Sequence, residues 1–369
     1  MSPLPKKQPW IRTPLVESSA LSRAAGCRIL LKLENIQPSG SFKIRGIGHY
    51  CAQALSHSPD PSSVHFYSSS GGNAGLAAVH AAVHLGRPVT VVVPLSTTQL
   101  MMGRIRSAGA SEVVQTGAGW HEADQYLRET LMAHAEAAGQ SAVYVPPFDH
   151  PDIWDGHSGM VAEMREQLAE LCGDDAAEPD ALVCSVGGGG LFNGIMRGLS
   201  RASWSHVPVL AMETQGAESL NASLRAGELV TLPGITSLAT CLGAVRVSAQ
   251  CFEYARTSPN VRSVVLSDAE AAMGTWRLAD DERIMVELAC GVDVALCYGG
   301  RLEKYLGRKL TRESKVVIVI CGGSNVTIEM IAKYRKMFGE DMEGSVGVDV
   351  EKDVPSNASA PNGTHQPSV

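Results

Sequence analysis

Gln37-Pro38-Ser39-Gly40-Ser41-Phe42-Lys43-Ile44-Arg45-Gly46 is the stretch on which the reading of this chain turns. Pro38 and Gly40 predict a turn, and Ser41 predicts the cap of a helix opened by the residues that follow. Lys43 then lies in the first turn of a helix, behind a rigid loop. A lysine held there bonds an aldehyde as a Schiff base if its amine is desolvated and neutral, since only the neutral amine is nucleophilic. A lone lysine is ordinarily an exposed cation, so the weight falls on what the rest of the chain supplies.

Around that stretch the sequence alternates between strand and helix patterns. Strands are expected over 28–33, 64–67, 89–93, 111–115 and 142–145, with helices over 43–55, 72–85, 99–107 and 119–138. Beyond Pro146-Pro147-Phe148-Asp149, which marks a domain change, helices are expected over 153–171, 217–226, 267–279, 291–306 and 326–338. Strands are expected there over 181–186, 207–212 and 316–320, and residues 227–262 read as irregular. Such alternation predicts an α/β protein with parallel sheets and right-handed crossovers.

Two further turns and a third loop carry chemistry. Val183-Cys184-Ser185-Val186-Gly187-Gly188-Gly189-Gly190-Leu191 is a strand ending in four glycines before a helix. Contiguous glycines let N–H groups converge on an anion, and the helix N-terminus adds partial positive charge, so this reads as a phosphate cradle. It is neither a P-loop nor a dinucleotide fingerprint, because no Gly-Lys-Ser/Thr follows and the glycines are not spaced. Ser68-Ser69-Ser70-Gly71-Gly72-Asn73-Ala74-Gly75 also opens a helix; its hydroxyls and free N–H groups suit a carboxylate, and Asn73 suits a phenolic oxygen. Cys321-Gly322-Gly323-Ser324-Asn325 ends another buried strand and offers a thiol and a hydroxyl to a ring nitrogen. Taken singly, the last two are ordinary turns. Together with Lys43 the set matches what pyridoxal 5′-phosphate needs.

Composition narrows the alternatives. The chain has 369 residues, 44% hydrophobic and 19% charged, enough for one large core or two smaller ones. A net charge of −7 argues against nucleic acid or an anionic membrane as partner. No apolar run has the length of a secretory signal or a membrane span. Nine cysteines without a Cys-x-x-Cys pair read as reduced thiols, most of them apolar filler, which implies the cytoplasm or another reducing compartment.

The four motifs, in this order over about residues 10–338, resemble the L-serine dehydratase/L-threonine deaminase family, and Pro146-Pro147-Phe148-Asp149 with Ala211-Met212-Glu213-Thr214 resembles its animal serine dehydratase or serine dehydratase-like branch. The resemblance implies a tryptophan-synthase-β-like fold of two open, twisted, mainly parallel α/β domains. Residues 1–40 and 146–342 would form the large cofactor-binding domain and 41–145 the small one; the polar tail 343–369 reads as disordered. It implies Lys43 as the covalent and catalytic lysine, Phe42 packed under the ring, Asn73 on the ring hydroxyl, Gly187, Gly188, Gly189, Gly190 and Leu191 on the phosphate, and Cys321 on the pyridine nitrogen. Ser39, Ser70, Gly71, Gly72 and Asn73 would hold the substrate carboxylate. Glu213 is carried over as a catalytic or near-site carboxylate, and Ala217, Leu242 and Ala244 as neighbours of a monovalent cation, potassium. The implied activity is α,β-elimination from L-serine or L-threonine, in a homodimer.

Two other readings remain open: a serine racemase, and a protein that binds the cofactor with little catalysis. Gly71 stands against the first, because racemases of this fold resemble the stretch but carry a serine there as second base. Departures from the family pattern keep the second open. Cys241 stands where alanine is usual, Leu288 where proline is usual, and Asp293 and Cys297 interrupt an Ala-rich helix, where an unpaired buried aspartate is costly.

Overall fold

A computed structural model describes residues 8–345; most of the tail expected to be disordered from 343 lies outside them, and 343–345 instead end the helix Ile328–Ser345. Ten strands form two sheets. β1 (Leu15–Glu17), β2 (Arg28–Lys32), β7 (Ala181–Ser185), β8 (Val209–Thr214), β9 (Val261–Leu266) and β10 (Lys315–Val319) make a six-stranded sheet in the order β1-β2-β10-β7-β8-β9. β3 (Val64–Ser68), β4 (Val89–Val93), β5 (Glu112–Gln115) and β6 (Ser141–Tyr144) make a four-stranded sheet in the order β5-β4-β3-β6. Among the strand pairs of the described residues, only β1–β2 is antiparallel. Every residue of Val89-Thr90-Val91-Val92-Val93 is buried, as a parallel strand covered by helices on both faces requires.

The strand order positions the site. β2, β10 and β7 are neighbours in space although far apart in sequence. The lysine loop follows β2, the Cys321 loop follows β10 and the glycine turn follows β7, so three distant segments emerge side by side, about 4.8 Å from strand to strand. This is the carboxyl-end crevice where open α/β sheets bind ligands.

Some local expectations need correction. Ser41 does not cap the helix Lys43–His57, whose first turn has no side-chain cap. Its backbone instead forms an antiparallel bridge with Gly322, which commits the residue to the neighbouring loop. The supposedly irregular 227–262 contains a helix, Ala249–Thr257, and the first residues of β9. Ser248 opens that helix by accepting from Cys251 N–H, and β9 is an edge strand with only part of its pattern buried. The helix expected over 291–306 is broken: Leu288–Val294 and Arg301–Leu306 flank Gly299 and Gly300, both at positive φ. The 268–282 helix opens with the Ser267–Glu270 capping box that its sequence predicts. All nine cysteines are free thiols; Cys241 is exposed, Cys172 half-buried and the rest buried.

Candidate active site

Lys43 is fixed from both sides. Ahead of it, Phe42 N–H donates to the Cys321 carbonyl at 3.2 Å and Gly323 N–H to the Gly40 carbonyl at 2.9 Å, which stitches the lysine loop to the Cys321 loop. Behind it, the buried Arg45 guanidinium donates to both oxygens of Glu34 at 2.7 and 2.8 Å and to both oxygens of Glu163 at 2.7 Å. Lys32 joins the same network through Glu163 at 2.6 Å, the Thr13 carbonyl at 2.7 Å and Gln167 at 3.0 Å. Burial opposes the Arg45 charge, yet Glu34 and Glu163 outweigh it and hold its pKa above the ordinary value. The first turn of the lysine helix is thereby bolted to β2 and to the helix Pro151–Cys172.

Lys43 and the glycine turn line one cleft of about 520 Å³, its open mouth included; Ser41, Phe42, Asn73, Ser185, Gly187 to Leu191, Cys241, Leu242, Glu287, Ala289 and Cys321 to Gly323 complete the lining. The Lys43 ammonium nitrogen lies 5.1 Å from the centre of the Phe42 ring, which packs at 5.1 Å against the His157 ring. Burial lowers the Lys43 pKa, with Cys241, Cys321 and Glu287 opposing. Burial, with Lys43 and Arg45 nearby, drives the His157 pKa well below its usual value, so that ring is neutral. Burial, against these neighbours, therefore moves the lysine toward its nucleophilic form.

At the glycine turn, Gly189 has φ +92° and a Cβ there would sit 2.5 Å from the Cβ of Cys251; one on Gly190 would meet the Phe148 carbonyl at 2.8 Å. Only glycines fit the packed side of this turn. Among the described residues, no backbone carbonyl accepts from the N–H groups of Gly187, Gly188 or Gly189, and the helix Gly190–Arg201 begins immediately after them. The Ser41 hydroxyl, buried in the same cleft, also has no protein partner. Free donors at a helix N-terminus, a lysine whose pKa burial lowers and a thiol at the far wall fit a phosphorylated pyridine aldehyde.

The other expected residues are distributed as follows. Asn73 donates to Glu287 at 2.8 Å and to the Cys241 sulfur at 3.5 Å, and accepts from Ser324 N–H at 2.8 Å. Ser70, Gly71 and Gly72 lead into Asn73 without lining the cleft, and the Ser39 hydroxyl donates to the Ser41 carbonyl at 3.3 Å. A Cβ at Gly71 would lie 2.6 Å from the Thr97 hydroxyl. Glu213 is fully buried outside the cleft lining, its two oxygens accepting from Leu220 and Asn221 N–H at 2.8 Å each. Burial pushes its pKa up to about 8 against those hydrogen bonds. Ala217 is buried, Leu242 lines the cleft, and the Leu242 carbonyl accepts from Ala244 N–H at 2.8 Å.

The hydroxyl beside the Cys321 thiol is not Ser324, whose hydroxyl reaches the Ser39 carbonyl at 3.5 Å, but Ser185, 3.4 Å from the sulfur. Ser185 lay in the glycine motif already. Glu287 was missed as a cleft residue: it accepts from Asn73 and from Asn325 N–H, each at 2.8 Å, and joins the two loops. Its signal was the Val286-Glu287 pair, visible in sequence only as the flank of a departure.

Comparison with known proteins agrees with this geometry. The family model described as "Pyridoxal-phosphate dependent enzyme" matches residues 7–322. The chain is 44% identical over 333 residues to a serine dehydratase-like protein of Rattus norvegicus, covering 89% of this chain and 95% of the relative. It is 43% identical to the L-serine dehydratase/L-threonine deaminase of Bos taurus, covering 90% and 96%. Among solved structures, a fungal L-serine ammonia-lyase from Rhizomucor miehei superposes with a TM-score of 0.81 at 36% identity, covering 90% of this chain and all of that one.

Proposed function

The chain belongs to the pyridoxal-phosphate dependent enzymes, and on that premise we propose that it is an L-serine/L-threonine ammonia-lyase, converting L-serine to pyruvate and ammonia and L-threonine to 2-oxobutanoate and ammonia. The observation that carries the reading is the cleft shared by Lys43 and the glycine turn. The N–H groups of Gly187 to Gly189 and the helix behind them would hold the phosphate, Asn73 the ring hydroxyl, and Cys321 with Ser185 the ring nitrogen. When bound, the cofactor supplies an electron-withdrawing ring that stabilises negative charge at the substrate α-carbon.

The protein's own part is proton management. Lys43, its pKa lowered by burial, acts as the general base that takes the α-proton, and the β-hydroxyl takes up a proton and leaves as water. The Ser70 to Asn73 turn would receive the substrate carboxylate at the helix Asn73–His84. Gly71 offers no second base, and Thr97 fills the space a side chain would need, which favours elimination over racemisation. A homodimer, a cytoplasmic location, a potassium ion near Ala217, Leu242 and Ala244, and a division into domains of 41–145 and of 1–40 with 146–342 belong to the same proposal.

The test is a coupled pyruvate assay on protein reconstituted with pyridoxal phosphate, with Lys43→Ala beside it. The expected result is a visible lysine–cofactor band and pyruvate from L-serine, both lost in Lys43→Ala, with activity down at least about a thousandfold. A band without pyruvate would establish the non-catalytic reading, and D-serine outrunning pyruvate the racemase.

A further inference from the structure

We propose that Asp293 is a positioning residue for the far wall of the cleft, fixing through Cys321 the direction of the hydrogen bonds that Cys321 and Ser185 offer to a ring nitrogen. The inference rests on the cofactor reading above. Asp293 lies on the helix Leu288–Val294, is fully buried, and does not itself line the cleft. Its Oδ2 is 4.0 Å from the Cys321 sulfur, which is 3.4 Å from the Ser185 hydroxyl. Cys321 and Ser185 both line the cleft. The contact runs from a buried carboxyl to a cleft wall in two steps.

The surroundings decide the carboxyl's state. The groups that face it are Cys290 on its own helix, Cys184 and Ser185 on β7, and Cys321 after β10; none carries positive charge. Its Oδ1 has no hydrogen-bond partner. Burial raises the pKa well above the ordinary carboxylate value and the nearby Cys321 adds to this, outweighing the opposing hydrogen bond from the Ser185 backbone, so Asp293 keeps its proton. A neutral carboxyl donates where a carboxylate only accepts. In the contact between the Cys321 thiol and Asp293 Oδ2 a neutral carboxyl can take the donor's part. That releases the thiol hydrogen from Asp293 and leaves it the Val319 carbonyl, 3.6 Å from the sulfur, or the cleft, where a neutral pyridine nitrogen accepts. An ionised Asp293 would draw the thiol hydrogen back and turn sulfur lone pairs toward the ring.

The experiment follows the visible absorption band of the bound cofactor from pH 6 to 9 in wild type, Asp293→Asn and Asp293→Ala holoenzymes, with cofactor content quantified in each. The amide still donates, so Asp293→Asn should keep the wild-type band and its pH midpoint. Asp293→Ala should raise the midpoint by up to about one pH unit, roughly tenfold in proton affinity, because a weakened acceptor bond favours the protonated ring nitrogen. Three indistinguishable titrations would overturn the inference and leave Asp293 a packing residue. Equal shifts in Asn and Ala, or a shift in Asn alone, would overturn the neutral donor. Should Asp293→Asn not fold, a double-mutant cycle of Asp293→Ala with Ser185→Ala decides: non-additive shifts support the relay and additive ones overturn it. Wild type that takes up no cofactor at all would refute the proposed function instead, so the two failures are distinguishable.

Discussion

Arg45 and Asp293 are both fully buried, and the protein treats them in opposite ways. Around Arg45 two carboxylates accept from the guanidinium in bidentate fashion, and Lys32 balances the surplus negative charge. Around Asp293 there are thiols and a hydroxyl, and one carboxyl oxygen is left without a partner. The first arrangement is a fastener that holds the base of the lysine helix. The second leaves one buried oxygen unsatisfied, and it stands against the wall of the active cleft. A buried polar group kept only partly satisfied is where function is to be sought.

The contrast can be broken most forcefully at Arg45. Arg45→Ala leaves the buried Glu34 without its cation, and about 3–5 kcal/mol of unfolding free energy should be lost in urea denaturation. A loss below about 1 kcal/mol would show that the network is not the fastener described. Asp293→Ala should move the other way, raising stability by about 1–2 kcal/mol, because it removes an unsatisfied buried group at small volume cost. Destabilisation there would mean that the contact to Cys321 outweighs the unsatisfied Oδ1.

Glu213 lies between these extremes, buried but capped by two backbone N–H groups. Its folded pKa of about 8 stands above the ordinary 4.5, so the folded state binds more protons than the unfolded across that interval. The stability linked to it is full below about 4.5 and falls as pH rises to about 8, then levels off. Glu213→Gln should flatten the dependence of the urea midpoint on pH between 5 and 8; an unchanged slope would place the titration elsewhere. At the small end, Arg335 and Asp280 form an exposed pair at 2.8 Å. Arg335→Ala should change stability by less than about 0.5 kcal/mol, within the error of the same denaturation experiment. A larger effect would undo the claim that burial, and not pairing alone, sets the cost.

Much of the architecture was legible in the chain. The helix Gln99–Ser107 has the expected bounds, and β4 has the expected ends, because a run such as Val89 to Val93 can only be a covered strand. The misses share a cause. Ser41 has a capping side chain but lies where the Cys321 loop claims its backbone. β9 is an edge strand, so its pattern is half-erased. Ser185 and Glu287 carry no local mark of their place in the cleft, because their partners lie 136 and 214 residues away.

Local chemistry in the chain, from the turn before Lys43 to the run of glycines after Val186, determined which groups were available and that strands would alternate with helices around them. Only the tertiary structure decided that β2, β10 and β7 stand side by side, that Ser185 and not Ser324 meets the Cys321 thiol, and that one oxygen of the buried Asp293 lacks a partner. The physical reason is that turn and strand preferences act over a few residues, whereas burial, charge pairing and proton affinity depend on neighbours that chain topology brings from hundreds of positions away.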